Sequence, residues 1–484
     1  MTQHFSVMIP GSNTHDGTVN VIAPYDGALI ATVDTADAPA VEKAIDNAHK
    51  LYRNRDAWLK PSQRIEILRK AIEIMTARAE ELAKEAAREG GKPLMDSRAE
   101  VSRAIEGIQC CIETLRTDAG KVTPMNLNAA SEGKLAFNRK EPIGVVVAVS
   151  AFNHPLNLII HQVGPAIATG CPVIVKPSKD TPLSCFRFIN ILYEAGLPRE
   201  WCQTLLTKNQ ALATQLVTDQ RVSFFSFIGS ANVGWTLRSQ LSPGTRCSLE
   251  HGGVAPVIVA ADANVEQTIP LLTKGGMYHA GQVCVSVQRV FVHESIVEEL
   301  SNKLADSVKH LKVGDPTLPD TEVGPLIRNS EVDRIDEWVH EATNAGATLL
   351  TGGKRISDSC YECTVLLNPP SDTKVSQREI FGPVICVYAY SEIDDAIERA
   401  NALPYSFQAA VFTCDIDTAM RTYSRLDASA IMINEHTAFR VDWMPFAGLK
   451  QSGLGVGGIP YTMHDMQIEK LMILRSKELE TGEI

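Results

Sequence analysis

Cys284 stands in Gly281-Gln282-Val283-Cys284, and Glu250 stands thirty-four positions earlier in Leu249-Glu250-His251-Gly252-Gly253. A thiolate adds readily to a carbonyl carbon, and a carboxylate that later deprotonates water would release the resulting thioester. The pair therefore suits covalent chemistry at a carbonyl. Taken alone, a cysteine among glycines also reads as a small buried hydrophobe. The elements that would hold the two residues decide between these readings.

A chain of 484 residues, 44% apolar and 21% charged, can bury a large core; at about 150 residues per domain it should divide into two or three. The formal charge of −11 and the lack of a dense Lys/Arg block speak against nucleic acid as a partner. Met1 to Pro10 shows no secretory pattern, and the longest apolar run, Gly144 to Ala151, is too short to span a membrane. Eleven cysteines without framework spacing suit a reducing compartment, so a cytoplasmic protein is expected. Cys360-Tyr361-Glu362-Cys363 is half of a zinc pattern with no second half, and no metal site is expected.

After an extended N-terminal arm, apolar residues at three- and four-residue spacing predict helices over Ala38 to Arg53, Gln63 to Glu89 and Pro93 to Thr117. Lys134 to Arg139 alternates like a strand. From Gly144, short apolar runs at Val145 to Val149, Val173 to Val175 and Phe224 to Ile228 alternate with helical patterns, the rhythm of a parallel α/β sheet. A second such series runs through Pro256 to Val259, Arg289 to Val292, Thr364 to Leu367 and Ala410 to Phe412. The tail Glu478 to Ile484 is expected to be solvated.

Phe152-Asn153-His154-Pro155-Leu156-Asn157, Lys176-Pro177-Ser178, Phe227-Ile228-Gly229-Ser230 with Gly234, the Glu250 and Cys284 segments, Glu379-Ile380-Phe381-Gly382-Pro383 and Pro445-Phe446-Ala447-Gly448 follow one another along the chain. Seven ordered motifs at this spacing resemble the aldehyde dehydrogenases over nearly the whole length. The resemblance implies NAD(P)-dependent oxidation of a small-molecule aldehyde to its acid by a homodimer or homotetramer. It implies an α/β fold with two α/β domains and a small β-strand oligomerisation arm: a nucleotide-binding domain over 1–119 and 139–247, a catalytic domain over 248–460, and an arm from 120–138 and 461–484.

In such a protein Cys284 would be the nucleophile, the Asn153 amide and the Cys284 N–H would hold the oxyanion, and Glu250 would activate water. Lys176, counted with these residues, would also sit near the adenosine ribose. Gly229 and Ser230 would meet the pyrophosphate at a helix N-terminus. Glu379 would hold the nicotinamide ribose hydroxyls, with Phe381 either beside the ring or in the core. Val149, Ser150, Phe152, Ser178, Val233 and Leu249 complete the expected cofactor set, and Val283 and Phe446 flank the expected substrate.

Two positions depart from the pattern. Lys179 replaces a glutamate that often binds the ribose 2′-hydroxyl, so NAD and NADP are both open. His251 replaces a leucine beside Glu250, either filling a half-polar pocket or taking part in proton transfer. Arg440, before Pro445-Phe446, and Arg103, in Glu100-Val101-Ser102-Arg103, resemble arginines that grip a phosphate or phosphonate in some relatives. Val283 stands where a third arginine often occurs. His161 favours a short polar substrate. Against this stands a structural reading in which both arginines make salt bridges, Arg440 with Asp442. Two other functions compete: CoA-acylating oxidation, weakened by the presence of Glu250, and a non-catalytic structural homologue.

Overall fold

The computed structural model describes residues 3–479. The rest of the expected tail and arm, 480–484, lies outside the described residues. Two sheets organise the chain. In the first, the strands run in the order Gly453–Leu454, Arg246–Glu250, Val222–Ile228, Val145–Val149, Val173–Lys176, Cys202–Thr204, all parallel except the first. Val145 to Ala148 are fully buried, as expected of a parallel strand covered by helices on both faces. The second sheet has seven strands, parallel apart from the edge strand Thr348–Thr351, with Pro256–Val259 between Arg289–His293 and Gln408–Phe412.

The order of the first sheet sets the location of a site. From Val145–Val149 the chain builds outward in one direction through Val173–Lys176 and Cys202–Thr204, then returns to build Val222–Ile228 and Arg246–Glu250 on the other side. Between Val145–Val149 and Val222–Ile228 the winding reverses, and the loops leaving their carboxyl ends diverge around a crevice. Ser150 to Asn153 and Gly229-Ser230 are those loops.

A buried carboxylate holds the first loop. Glu100, on the helix Leu94–Thr117, accepts from the N–H groups of Leu156 and Asn157 at 2.9 and 3.0 Å and pairs with the buried Lys92. It thereby satisfies two orphan donors at the start of the helix Asn157–Thr169, next to Asn153.

Several expectations are corrected. The predicted helix over 63–89 is two, Pro61–Ala77 and Ala79–Gly90, because the backbone leaves helical geometry at Arg78; the turn lets the second helix pack on Leu94–Thr117. The extended N-terminal arm is a three-stranded sheet, Gln3–Phe5, Leu29–Asp34 and Thr18–Ile22, seated on Leu183, Phe186 and Leu206. A domain division at 247/248 cuts the strand Arg246–Glu250, whose whole length pairs with the first sheet. The arm is a three-stranded sheet in which Lys134–Pro142 pairs antiparallel over its full length with Gln467–Arg475 and on its other side with the short strand Val122–Thr123. The 138/139 division therefore falls inside a strand, and 461–465 belongs to the helix Ile459–Asp465, which packs on Asn157–Thr169 instead of joining the arm.

Candidate active site

A cavity of about 400 Å³ opens at the reversal point of the first sheet and reaches the second domain. Cys284 and Glu250 both line it. The nucleophile's turn is unusual: His279 and Ala280 have φ of 49° and 54°, a left-handed conformation that L-residues rarely adopt. Gln282 holds this turn, its amide reaching the carbonyls of His279 and Pro325 and its oxygen accepting from Ile327 N–H at 3.0 Å. The loop that follows the base is tied directly to the nucleophile, because Gly253 N–H donates to the Cys284 carbonyl at 3.1 Å.

Asn153 is buried and donates through Nδ2 to the Gln282 carbonyl at 2.9 Å, so the amide is fixed against the same turn. An amide nitrogen carries two hydrogens, and the second remains for the cavity. Burial pushes the Cys284 thiol up to about 12, an effect Arg440 opposes and the neighbouring Glu379 and Glu250 carboxylates reinforce. Burial also raises Glu250, again opposed by Arg440. The carboxylates of Glu250 and Glu379 each rest on a glycine: a Cβ at Gly457 would overlap Glu250, and one at Gly252 would overlap Glu379.

Residues 12–471 match the sequence profile of the Aldehyde dehydrogenase family. The chain belongs to that family. It is 36% identical to 3-sulfolactaldehyde dehydrogenase of Priestia aryabhattai over 456 residues, 94% of each protein. Among solved structures, aldehyde dehydrogenase 21 from Physcomitrella patens in complex with the reaction product succinate superposes with a TM-score of 0.94 at 33% identity, covering 100% of both chains. Glyceraldehyde-3-phosphate dehydrogenase GapN from Methanocaldococcus jannaschii complexed with NADP gives 0.90 at 33%, covering 96% of this chain and 100% of that one. The protein is thus an NAD(P)-dependent aldehyde dehydrogenase with two α/β domains.

The cofactor end of an aldehyde dehydrogenase cavity must accept ribose hydroxyls and phosphates, and the residues present fit. Burial lifts the Glu379 carboxyl to about 8, and its Oε1, like the Ser150 hydroxyl, is buried without a partner. Ser230 precedes the helix Ala231–Arg238, whose N-terminal N–H groups face the crevice. Phe381 meets Phe152 edge-to-face at 5.8 Å, and both line the cavity with Val149, Ser178, Gly229 and Val233. His251 takes the half-polar position: its Nδ1 bonds the Gly229 carbonyl at 2.8 Å, and Phe227 and Trp235 pack against its ring.

Three expected cofactor residues lie off this wall. Leu249 turns its side chain into the core beside Phe227, since strand alternation puts it on the face opposite Glu250. Lys179 is exposed and faces a neighbouring cleft against the Tyr25-Asp26-Gly27 turn. Lys176 ends its strand outside the cavity lining; burial, and then the like charge of Lys179, hold its ammonium below the usual lysine range.

At the substrate end the expected pairing is also corrected. Asp442 pairs with Arg103, not Arg440, through two bonds of 2.7 and 3.1 Å. Arg440 stacks on the Phe446 ring at 3.4 Å from its centroid and approaches His161 Nδ1 at 3.3 Å. Val283 is buried against Phe446 and Phe407. Sequence reasoning missed Arg328, which lines the cavity and pairs with Asp180 across the cleft, and Tyr278 and His154, which stand in contact at the substrate end. An isolated arginine after Gly-Pro carries no sequence signal for such a contact. Among the described residues, no cluster of three or more His, Cys, Asp or Glu side chains could hold a metal, and no helix is long and apolar enough to cross a membrane.

Proposed function

We propose that this aldehyde dehydrogenase oxidises a short aldehyde carrying an anionic group, with Cys284 as nucleophile, Glu250 as base and Arg440 as the anion's partner. The observation that carries the substrate class is Arg440. Its guanidinium is stacked on Phe446 beside Cys284 and Glu250, and its Nε is buried without a partner. A buried, incompletely paired cation in a reaction cavity calls for an anion. Two of the relatives' names support an anion, since 3-sulfolactaldehyde bears a sulfonate and succinate a second carboxylate, while the lactaldehyde named for others is short and neutral.

Cys284 gives up its thiol proton to solvent as Sγ adds to the carbonyl carbon, and the oxyanion accepts from the free N–H of Asn153 Nδ2 and from Cys284 N–H. Bound NAD or NADP supplies the acceptor for the hydride that leaves the thiohemiacetal. Glu250 then takes a proton from water, the hydroxide attacks the thioester, and the carboxylic acid leaves as the thiol is restored. A carboxylate base held in the cavity supports hydrolysis over transfer to CoA. Glu379 and Ser150 present acceptors for cofactor hydroxyls, Ser178 would meet the adenosine end, and Lys176 and Lys179 stand behind it, off the cavity wall. Leu249 adds only its backbone there.

The arm supports a homodimer or homotetramer. Leu471, Met472, Ile473 and Leu474 are all about half exposed on successive positions of Gln467–Arg475, an apolar strand that a second copy would cover. Eleven cysteines, all unpaired, suit the cytoplasm. A panel of short neutral and anionic aldehydes, tried with both cofactors, tests the substrate class. The anionic members should lead in kcat/KM, and Arg440→Ala should cost them about 2 kcal/mol while neutral aldehydes of equal length lose far less. Equal losses for both would remove the anion from the reading.

A further inference from the structure

The substrate end contains two arginines, but they are not equivalent. Arg103 gives both edges of its fork to Asp442, Nη2 to Oδ1 at 2.7 Å and Nε to Oδ2 at 3.1 Å, and this is the geometry in which a guanidinium is most fully satisfied by a carboxylate. The Asp442 side chain is 1% exposed. Its Oδ1 also accepts from Asn157 Nδ2 at 3.2 Å and bonds His161 Nε2 at 2.7 Å. A carboxylate only accepts, so His161 carries its proton on Nε2.

That tautomer leaves His161 Nδ1 with a lone pair, and the group facing it is an N–H of Arg440 at 3.3 Å. A doubly protonated ring would set two donors against each other here, so the imidazole is neutral, in keeping with the downward push that burial and Arg440 exert on it. Every contact in this chain thus sets one donor against one acceptor: Arg103 and His161 both donate to Asp442, and Arg440 donates to His161. Summed over these four side chains, one positive charge is left over. It resides on Arg440, which pairs with no carboxylate among the described residues and keeps an unpartnered Nε. Of the other charged or titratable groups that act on Arg440, Glu250 acts most strongly and, like Cys284, favours the charged guanidinium, so neither adds a positive charge and Glu250 is the one negative group already beside it.

Resting on the anionic-aldehyde reading above, we propose that the cavity selects monoanions, a sulfonate or carboxylate, over a phosphate dianion, and that Asp442 sets this preference by withholding Arg103 from the substrate. A single charge on the substrate finds a single unmatched guanidinium. A second charge would meet the Glu250 carboxylate instead of a second cation, because Asp442 occupies Arg103. In this arrangement Asp442 and His161 are positioning residues: they touch Arg440 and Arg103 and hold the first toward the substrate and the second away from it.

The test compares two aldehydes of equal length, one ending in a sulfonate and one in a phosphate ester, with the wild-type enzyme from about pH 5 to about pH 8. The phosphate ester takes its second charge near pH 6. The sulfonate keeps one charge throughout, so enzyme titrations that act on both substrates alike cancel in the ratio of the two kcat/KM values, whereas ionisation of Glu250, which opposes the second charge, is part of the discrimination itself. The phosphate-to-sulfonate ratio should fall by about tenfold or more as pH rises through that ionisation. A flat or rising ratio overturns the proposal even where both anions outperform a neutral aldehyde, whereas parity of both anions with the neutral compound would sink the anionic reading itself. Asp442→Asn frees Arg103 and should raise the ratio at pH 8 by about tenfold, mainly through KM for the phosphate. A folded Asp442→Asn enzyme with an unchanged ratio also overturns it, and if that variant fails to fold, the wild-type pH series still decides.

Discussion

The two ends of the cavity are built on opposite plans. At the cofactor end the walls are loop backbone and a helix N-terminus, and the polar side chains stand open: Glu379 Oε1 and the Ser150 hydroxyl have no protein partner. At the substrate end the charged side chains are tied to one another in a single chain, from Arg103 through Asp442 and His161 to Arg440, which leaves Arg440 Nε and Asn157 Oδ1 as the buried atoms without a partner. An end that binds a ligand of fixed structure can leave its acceptors waiting for known hydroxyls. An end that must discriminate among small aldehydes holds its charges in place, so that only one charge pattern completes it. Between the two ends lie Cys284, Glu250 and Asn153, linked to one another through backbone contacts and the Gln282 carbonyl.

The largest effect should come from the junction both ends share. Cys284→Ser is expected to lower kcat by roughly 10⁴-fold or more while leaving cofactor binding intact, as measured by steady-state assay and NADH fluorescence titration. Glu250→Gln should cost on the order of 10²-fold or more in steady turnover yet preserve a single burst of reduced cofactor in rapid mixing. Because burial raises the Glu250 carboxyl and the base must be deprotonated to act, wild-type deacylation should climb with pH through a midpoint above the ordinary glutamate range. Equal loss of burst and steady phases would move Glu250 to an earlier step and blur the division between the two ends.

A third experiment addresses the open acceptors directly. Glu379 sits at about 8 in the free cavity, and ribose hydroxyls donate best to its ionised form. Cofactor affinity should therefore strengthen as pH rises through that value, with a proton released on binding that calorimetry in two buffers would detect. Glu379→Gln should weaken binding by roughly tenfold and abolish the pH dependence, at about 1.5 kcal/mol for a charged hydrogen bond. The smallest effect is expected at Lys179. Since its side chain is exposed and off the cavity wall, Lys179→Glu should move the NADP/NAD ratio of kcat/KM toward NAD by less than about 1 kcal/mol. A larger shift would bring the adenosine end into the charge-selective class now reserved for the substrate end.

Much of the framework is readable from residue order. Buried parallel strands are short, continuous and β-branched, so Val145–Val149 and Arg289–His293 announce themselves, as does the helix Ala38–Arg53. The break at Arg78 does not, because helical periodicity continues across it, while in the fold the helices on both sides pack on Leu94–Thr117 and Arg78 pairs with Glu194. The N-terminal sheet is likewise hidden in sequence: its strands are short and half exposed, and they acquire a buried face only on Leu183 and Phe186.

The amino-acid order by itself determined the family, the nucleophile and base as candidates, and two α/β domains, since these depend on residue types at set spacings and on local periodicity. Tertiary structure alone decided who pairs with whom. Arg440 and Asp442 are two residues apart and of opposite charge, yet Asp442 faces Arg103, 339 positions away. Ion pairing depends on where side chains converge, and separation along the chain does not encode it. The same holds for the lone pair on His161 and for the charge left on Arg440: both follow from hydrogen bonds that exist only once the helices Leu94–Thr117 and Asn157–Thr169 and the 434–446 loop have packed around one buried carboxylate.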